Sequence, residues 1–188
     1  MADAGLEFRE EIRAMCEQNL CGMCGRNWAC PPYVPPPQTC QAIVTSYSDM
    51  MIFRTTHPRE GAFDLEGMQE AARKHDRISR EVREQVRGIC DRFLMLAAGG
   101  CSFCKDCACP DKCRFPKEKL NSIESYCIDL DSFLLKHGIE RRGGNAEQSY
   151  FTMVFWRGST ADGQSLSRDV MERLRPRLHR LLAATLCQ

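Results

Sequence analysis

Residues 101–116 read CSFCKDCACPDKCRFP, and each of the two cysteine groups of this chain contains a Cys-Pro pair, Cys30-Pro31 and Cys109-Pro110. Cys101, Cys104 and Cys107 stand at two-residue gaps, and Cys109 and Cys113 follow. Core packing has no use for thiols so spaced. A metal centre does, because a C-x2-C turn points two sulfurs at one point. Upstream, residues 16–40 read CEQNLCGMCGRNWACPPYVPPPQTC and bring a second set of thiols. The chain therefore reads as a metalloprotein whose fold must present two cysteine-rich loops. Iron–sulfur is the first chemistry to weigh.

Composition narrows the alternatives. The 188 residues are 43% hydrophobic, enough to bury a core without relying on metal to fold. A net charge of +1 gives no global reason to expect nucleic acid or an anionic membrane as partner. The thirteen cysteines are odd in number, and Met1 runs straight into a charged helical pattern rather than a signal peptide. No apolar stretch approaches the ~20 residues that span a bilayer. The expected setting is a reducing cytoplasm, where thiols bind metal rather than pair as disulfides.

Hydrophobic periodicity gives the elements around the loops. Residues 4–18 read as a helix with Phe8, Ile12, Met15 and Cys16 on one face. Gly22, Gly25, Pro31 and Pro32 break the first loop. After Pro35-Pro36-Pro37 a short helix carries Cys40, Ile43, Val44 and Tyr47 on its buried face. Residues 50–55 form a strand. Asp64 to Arg87 is the clearest helix, with Leu65, Met68, Ala72, His75, Val82 and Val86 recurring at helical spacing, and Gly88 ends it. Arg92 to Ala98 is a short strand from which the second loop hangs. Ser122 to His137 reads as one or two helical segments, and Tyr150 to Trp156 as a third strand. Strands alternating with helices give an α/β fold: a small central sheet of about three strands, covering helices and two cysteine loops, 16–40 and 101–116. A domain over 1–158 is followed by a basic amphipathic helical extension over 159–188. Pro176 divides that extension, and its leucine stripe either covers the core or joins two chains in a homodimer.

The second loop is the stronger metal signal. Its C-x2-C-x2-C run is similar to the bacterial ferredoxin pattern, but the next gap is five residues to Cys113, with Cys109 as a rival fourth ligand. Lys105, Lys112 and Arg114 offset thiolate charge nearby. A structural zinc ribbon is the plain alternative, although zinc sites favour two separated C-x2-C pairs. The first loop offers Cys16, Cys21, Cys24, Cys30 and Cys40, five thiols for four positions, with Trp28 placed to shield a cluster from water. Cys90, Cys127 and Cys187 read as plain core residues. The four histidines form no motif, and no catalytic triad, phosphate loop or dinucleotide fingerprint is present.

The pieces C-x4-C-x3-G-x2-W-x-C-P-P, C-x2-C-x2-C-x5-C-R-x-P and Ser122-Ile123-Glu124 together resemble a bacterial and archaeal family of cysteine-rich predicted metal-binding proteins of unknown function. The resemblance covers roughly residues 10 to 156. It implies Cys16, Cys21, Cys30 and Cys40 as one ligand set and Cys101, Cys104, Cys107 and Cys113 as the other. Cys24 is then an extra thiol where the family has tyrosine, and Cys127 stands where the family tends to have glycine. Cys24 and Cys109 are alternative ligands or reactive thiols.

The leading expectation is an oxygen-sensitive protein with two [4Fe–4S] clusters serving electron transfer, whose redox partner the sequence does not name. An enzyme using one open-site [4Fe–4S] cluster on a small-molecule substrate is the first alternative. A zinc-binding structural or regulatory protein is the second. Neither nucleic acid nor membrane is expected as a partner.

Overall fold

A computed structural model describes residues 5–90, 92–141, 146–157 and 172–176. The elements run α1 (Glu10–Glu17), α2 (Pro37–Thr45), β1 (Asp49–Pro58), α3 (Leu65–Arg87), β2 (Phe93–Ala97), β3 (Asn121–Ser122), a 3-10 turn (Glu124–Tyr126), α4 (Leu130–Lys136) and β4 (Glu147–Trp156). The fold is mixed α/β, as expected. Its sheet has four strands in the order β1-β4-β2-β3 rather than about three, because the two-residue β3 pairs parallel with the end of β2. Among the described residues no helix is long and apolar enough to cross a membrane.

The chain divides into two compact units, one from residues 1–46 and 96–141, the other from 47–95 and 142–188. In the first, α1 and α2 both pack against the 3-10 turn. α1 starts at Glu10 rather than near residue 4, and Phe8 instead bridges to Ile128. Glu10 and Glu11 in its first turn favour the positive end of the helix dipole. α2 begins at Pro37, whose missing N–H costs nothing at that position. Its Cys40 and Val44 are buried as the periodicity predicts. Tyr47 lies beyond the helix end.

The stretch 122–137, expected as one or two helical segments, holds the end of β3, the 3-10 turn and α4. Two local features divide it. Cys127 takes a left-handed conformation (φ 62), which glycine adopts without steric cost. Asp129 then caps α4, accepting from the Ser132 backbone N–H at 3.0 Å.

In the second unit, β1 and β4 pair antiparallel along ten residues, from Asp49 opposite Trp156 to Pro58 opposite Glu147. Phe151, Phe155 and Trp156 are fully buried there, each contributing on the order of 2–3 kcal/mol by removal from water. α3 packs on both strands. Asp64 caps it by accepting from Gly67 N–H at 2.8 Å, and Gly88 closes it. The extension expected over 159–188 lies outside the described residues apart from 172–176, which are helical and bury Leu174. Cys187 is also outside them.

His75 of α3 sits within this core, 2% exposed, and burial pushes its pKa down to about 4 from 6.5. The unfolded chain therefore takes up a proton first as pH falls. The stability that neutral His75 preserves is full above about 6.5 and is lost on the way down to about 4. The loss should reach about 3 kcal/mol. His57, also lowered by burial, adds to it in the same direction. Urea unfolding across that range should show the loss, and His75→Gln should show a markedly smaller one. An equal loss in both proteins would contradict this origin.

Candidate metal centre

The first loop leaves α1 at Cys16 and turns on itself through positive-φ positions at Asn19 (φ 57), Gly22 (φ 73) and Gly25 (φ 72). The Asn19 side chain accepts from Cys24 N–H at 2.9 Å, and Gly25 N–H donates to the Pro31 carbonyl at 2.9 Å. These bonds curl residues 19–31 into a compact turn. Cys21 is exposed, Cys16 and Cys24 are half-buried, and Cys30 is buried.

Electrostatics sort the five thiols of this loop. Burial first, then the neighbouring Cys21, Cys16 and Cys24 and lastly Glu124, push Cys30 up to about 12. Cys16, at about 11, is raised first by burial, then by Glu124, Cys21, Cys24 and Cys127. Cys16, Cys21, Cys24 and Cys30 thus form one group, with the Glu124 carboxyl beside it. Burial keeps Glu124 itself above the usual carboxylate range. Cys40 belongs elsewhere. Burial raises it to about 11, but its charged neighbours are Arg13, which opposes the rise, and Cys127. Its Sγ donates to the Pro35 carbonyl at 3.2 Å.

The second loop encloses a small cavity lined by Cys101, Cys104, Cys107 and Cys113 together with Asn27, Trp28, Phe103, Phe115 and Lys119. Phe103 and Phe115 meet edge to face at 5.0 Å across the loop. Cys109 does not line this cavity. Its Sγ approaches the Gly25 carbonyl at 3.5 Å and hydrogen-bonds with the Tyr33 hydroxyl, so it ties the second loop to the first. Trp28, which sequence spacing associates with the first loop, walls the second. Its indole N–H is buried without a hydrogen-bond partner. Such an orphaned donor costs about 1–3 kcal/mol unless something accepts from it, and the four thiols share its cavity.

The two groups adjoin. Asn27 Nδ2 donates to the Cys101 carbonyl at 2.8 Å, while its Oδ1 accepts from Ala29 N–H at 3.0 Å. A Cβ on Gly100 would stand 3.1 Å from Asn27 Nδ2 and 3.3 Å from Cys30 Sγ. Cys30 of one group therefore lies against the root of the other. Asn27 and Glu124 are the residues that cysteine spacing alone does not reveal, although Glu124 ends the Ser-x-Glu segment.

None of the twelve described cysteines forms a disulfide. Among the described residues, no three Cys, His, Asp or Glu side chains converge closely enough to hold a single metal ion. The family model described as "Predicted metal-binding protein (DUF2284)" matches residues 2–156. No curated protein and no solved structure matches the chain.

The close approach at Gly100 gives a direct test of the junction. Gly100→Ala should destabilise the chain by about 1–3 kcal/mol, since Asn27 and Cys30 must both give way. It should also hasten metal release to a chelator. Gly88→Ala, whose Cβ would meet only ordinary contacts at 3.6 and 3.7 Å, should do neither. Equal behaviour of the two variants in urea unfolding and chelator release would refute a tight junction.

Proposed function

The chain belongs to the predicted metal-binding protein family (DUF2284), and from that premise we propose that it is an iron–sulfur protein holding two [4Fe–4S] clusters for electron transfer. One observation carries the reading: two four-thiol groups lie side by side, joined through Asn27 and Gly100. Four soft thiolates suit an iron–sulfur cluster, which places one ligand at each corner and needs no convergence on a single ion. The donor set and the orphaned Trp28 N–H, free to donate to a sulfur, fit such a group. When bound, each cluster would supply a one-electron couple.

The proposed ligands are Cys101, Cys104, Cys107 and Cys113 for the second centre and Cys16, Cys21, Cys24 and Cys30 for the first. Cys24 takes the place that the family resemblance assigns to Cys40, because Cys24 shares the charge environment of Cys16 and Cys30 and Cys40 does not. The chain's own residues do the rest. Asn27 orients both loops, Phe103, Phe115 and Trp28 keep water from the second centre, and the Trp28 N–H stabilises negative charge on sulfur. The short path from Cys30 to Cys101 suits electron exchange between the centres.

A second reading, an enzyme with an open iron at the first centre, draws on Cys21, exposed at the loop surface. An exposed ligand is the one a substrate could reach or displace.

Anaerobically purified protein should be brown and hold about eight iron and eight sulfide per chain. Cys24→Ala and Cys104→Ser should each lose about half of that iron, and Cys40→Ala should keep it. Colourless protein with stoichiometric zinc would overturn the iron–sulfur assignment. Iron loss in Cys40→Ala but not Cys24→Ala would restore Cys40 as the ligand. An electron paramagnetic resonance signal of one reduced cluster that changes on adding cyanide would favour the open-iron enzyme.

Trp28→Phe keeps the aromatic wall but removes the N–H. The reduction potential of one cluster should fall by roughly tens of millivolts, because hydrogen bonds to sulfur favour the reduced state, and the other should hold. A titration in which neither potential moves would detach Trp28 from the second centre.

A further inference from the structure

The second unit carries a string of polar side chains where an apolar core would be cheaper. Thr55 and His57 of β1, His75 and Ser79 of α3, and Thr152 of β4 are all buried, none more than 6% exposed. They form one chain of hydrogen bonds. His57 Nε2 meets Thr55 Oγ1 at 3.0 Å, and Thr55 Oγ1 meets His75 Nδ1 at 2.8 Å. His75 Nε2 meets Thr152 Oγ1 at 2.9 Å, and Ser79 Oγ meets the same oxygen at 2.8 Å. Each of these groups costs about 1–3 kcal/mol to bury if left unbonded, and apolar residues of similar shape would carry no such risk. The string is therefore an expense that packing alone does not explain. It has one open end. His57 lines a cavity of about 420 Å³ that also presents Lys74, Glu70, Arg59 and Asp64, and its Nδ1 has no partner within the described residues.

The string sets the state of that open nitrogen. The backbone of Phe151 on β4 favours a proton on the His75 ring. The string fits a single ring proton on Nε2, the nitrogen 2.9 Å from Thr152 Oγ1. Nδ1 of His75 then accepts the Thr55 hydroxyl proton, and the Thr55 oxygen accepts from His57 Nε2–H. His57 is left with a bare Nδ1 lone pair facing the cavity.

The wall carries six charged side chains, Arg59, Glu60, Asp64, Glu66, Glu70 and Lys74, and three of them are already committed. The Arg59 guanidinium donates to the Gly61 and Ala62 carbonyls and to Gln148 Oε1. Asp64 caps α3, and Glu70 pairs with Arg73 at 2.9 Å. Lys74 has no ion-pair partner among the described residues. We propose that this cavity binds a small hydroxy or amino acid, Lys74 pairing with its carboxylate and His57 Nδ1 accepting the hydrogen bond of the adjacent hydroxyl or ammonium. The volume lies within the range of small-molecule sites. Glu70, whose charge acts on His57, favours the ammonium of an amino acid as well. The site lies wholly in the second unit and stands whether or not the cysteine loops hold clusters.

Nitrogen-15 nuclear magnetic resonance of the histidines in the full-length, anaerobically purified protein tests this. His57 should show the Nε2–H tautomer. L-lactate and L-alanine at about 10 mM should shift its Nδ1 resonance, and acetate should act at least about tenfold more weakly because it lacks the second contact. Lys74→Met, at a half-exposed position, should fold normally and lose the response. Thr55→Val should lose the single tautomer. An Nδ1–H tautomer in the unsubstituted protein, a response to acetate equal to that of lactate, or no response to either acid would each overturn the proposal.

Discussion

A buried amide is central to the ties that hold the two cysteine loops to each other. Asn27 is 4% exposed and spends both ends of its side chain on backbone, Nδ2 on the Cys101 carbonyl and Oδ1 on Ala29 N–H. Its own carbonyl accepts from Cys30 N–H at 3.0 Å. The positions of Cys30 and Cys101 thus descend from one residue. Loops of this kind have almost no ladder of backbone hydrogen bonds, so side-chain bonds must replace it. Gly100 follows from the same constraint, since a Cβ there would press on the Asn27 and Cys30 side chains at 3.1 and 3.3 Å. Lys119 adds a further tie, donating to the Trp28 carbonyl at 3.0 Å.

What could be read from the sequence depended on how local the signal was. C-x2-C-x2-C is a local pattern, and its three thiols do line one cavity with Cys113. Helix α3 and the strand β4 announced themselves by periodicity. The periodicity at Cys40 was also sound, since that thiol is buried. Periodicity says that a residue faces inward but not what it faces. Cys40 looks toward Cys127 and Arg13, an arrangement made by three separate segments. The segment 122–137 was legible as one or two helical segments, but not in where it breaks. Its apolar residues keep a helical spacing, yet a left-handed Cys127 and an Asp129 cap interrupt the helix. The family resemblance implied glycine at position 127, and a glycine there would have marked a backbone turning through positive φ. β3 is two residues long and has no pattern to find. Thr55, His57 and Thr152 are polar residues at core positions, so they weaken the very alternation by which a buried strand is recognised. Asn27 has no periodic signature at all.

The two thiol groups also differ in what metal must do for them. In the first, burial and mutual repulsion hold Cys16 and Cys30 as neutral thiols far above neutral pH, with Glu124 adding to the repulsion. Four thiolates there would be tolerable only around a strongly positive core, because each added negative charge raises the cost of the next. Binding must therefore expel protons, and the affinity of that centre is tied to the protons it releases. The second group lies under a different field. Lys105, Lys112, Arg114 and Lys119 stand in or beside its loop, and Arg114 donates to the Asp106 carbonyl within it. Cations so placed share with the metal the work of neutralising thiolates. Asp106, Asp111 and Glu118 stand in or beside the same loop, so the cations there act within a mixed field. Asn27, Cys109 and Lys119 each tie the second loop to the first, so order gained at Cys101 is passed to Cys30 through more than one contact.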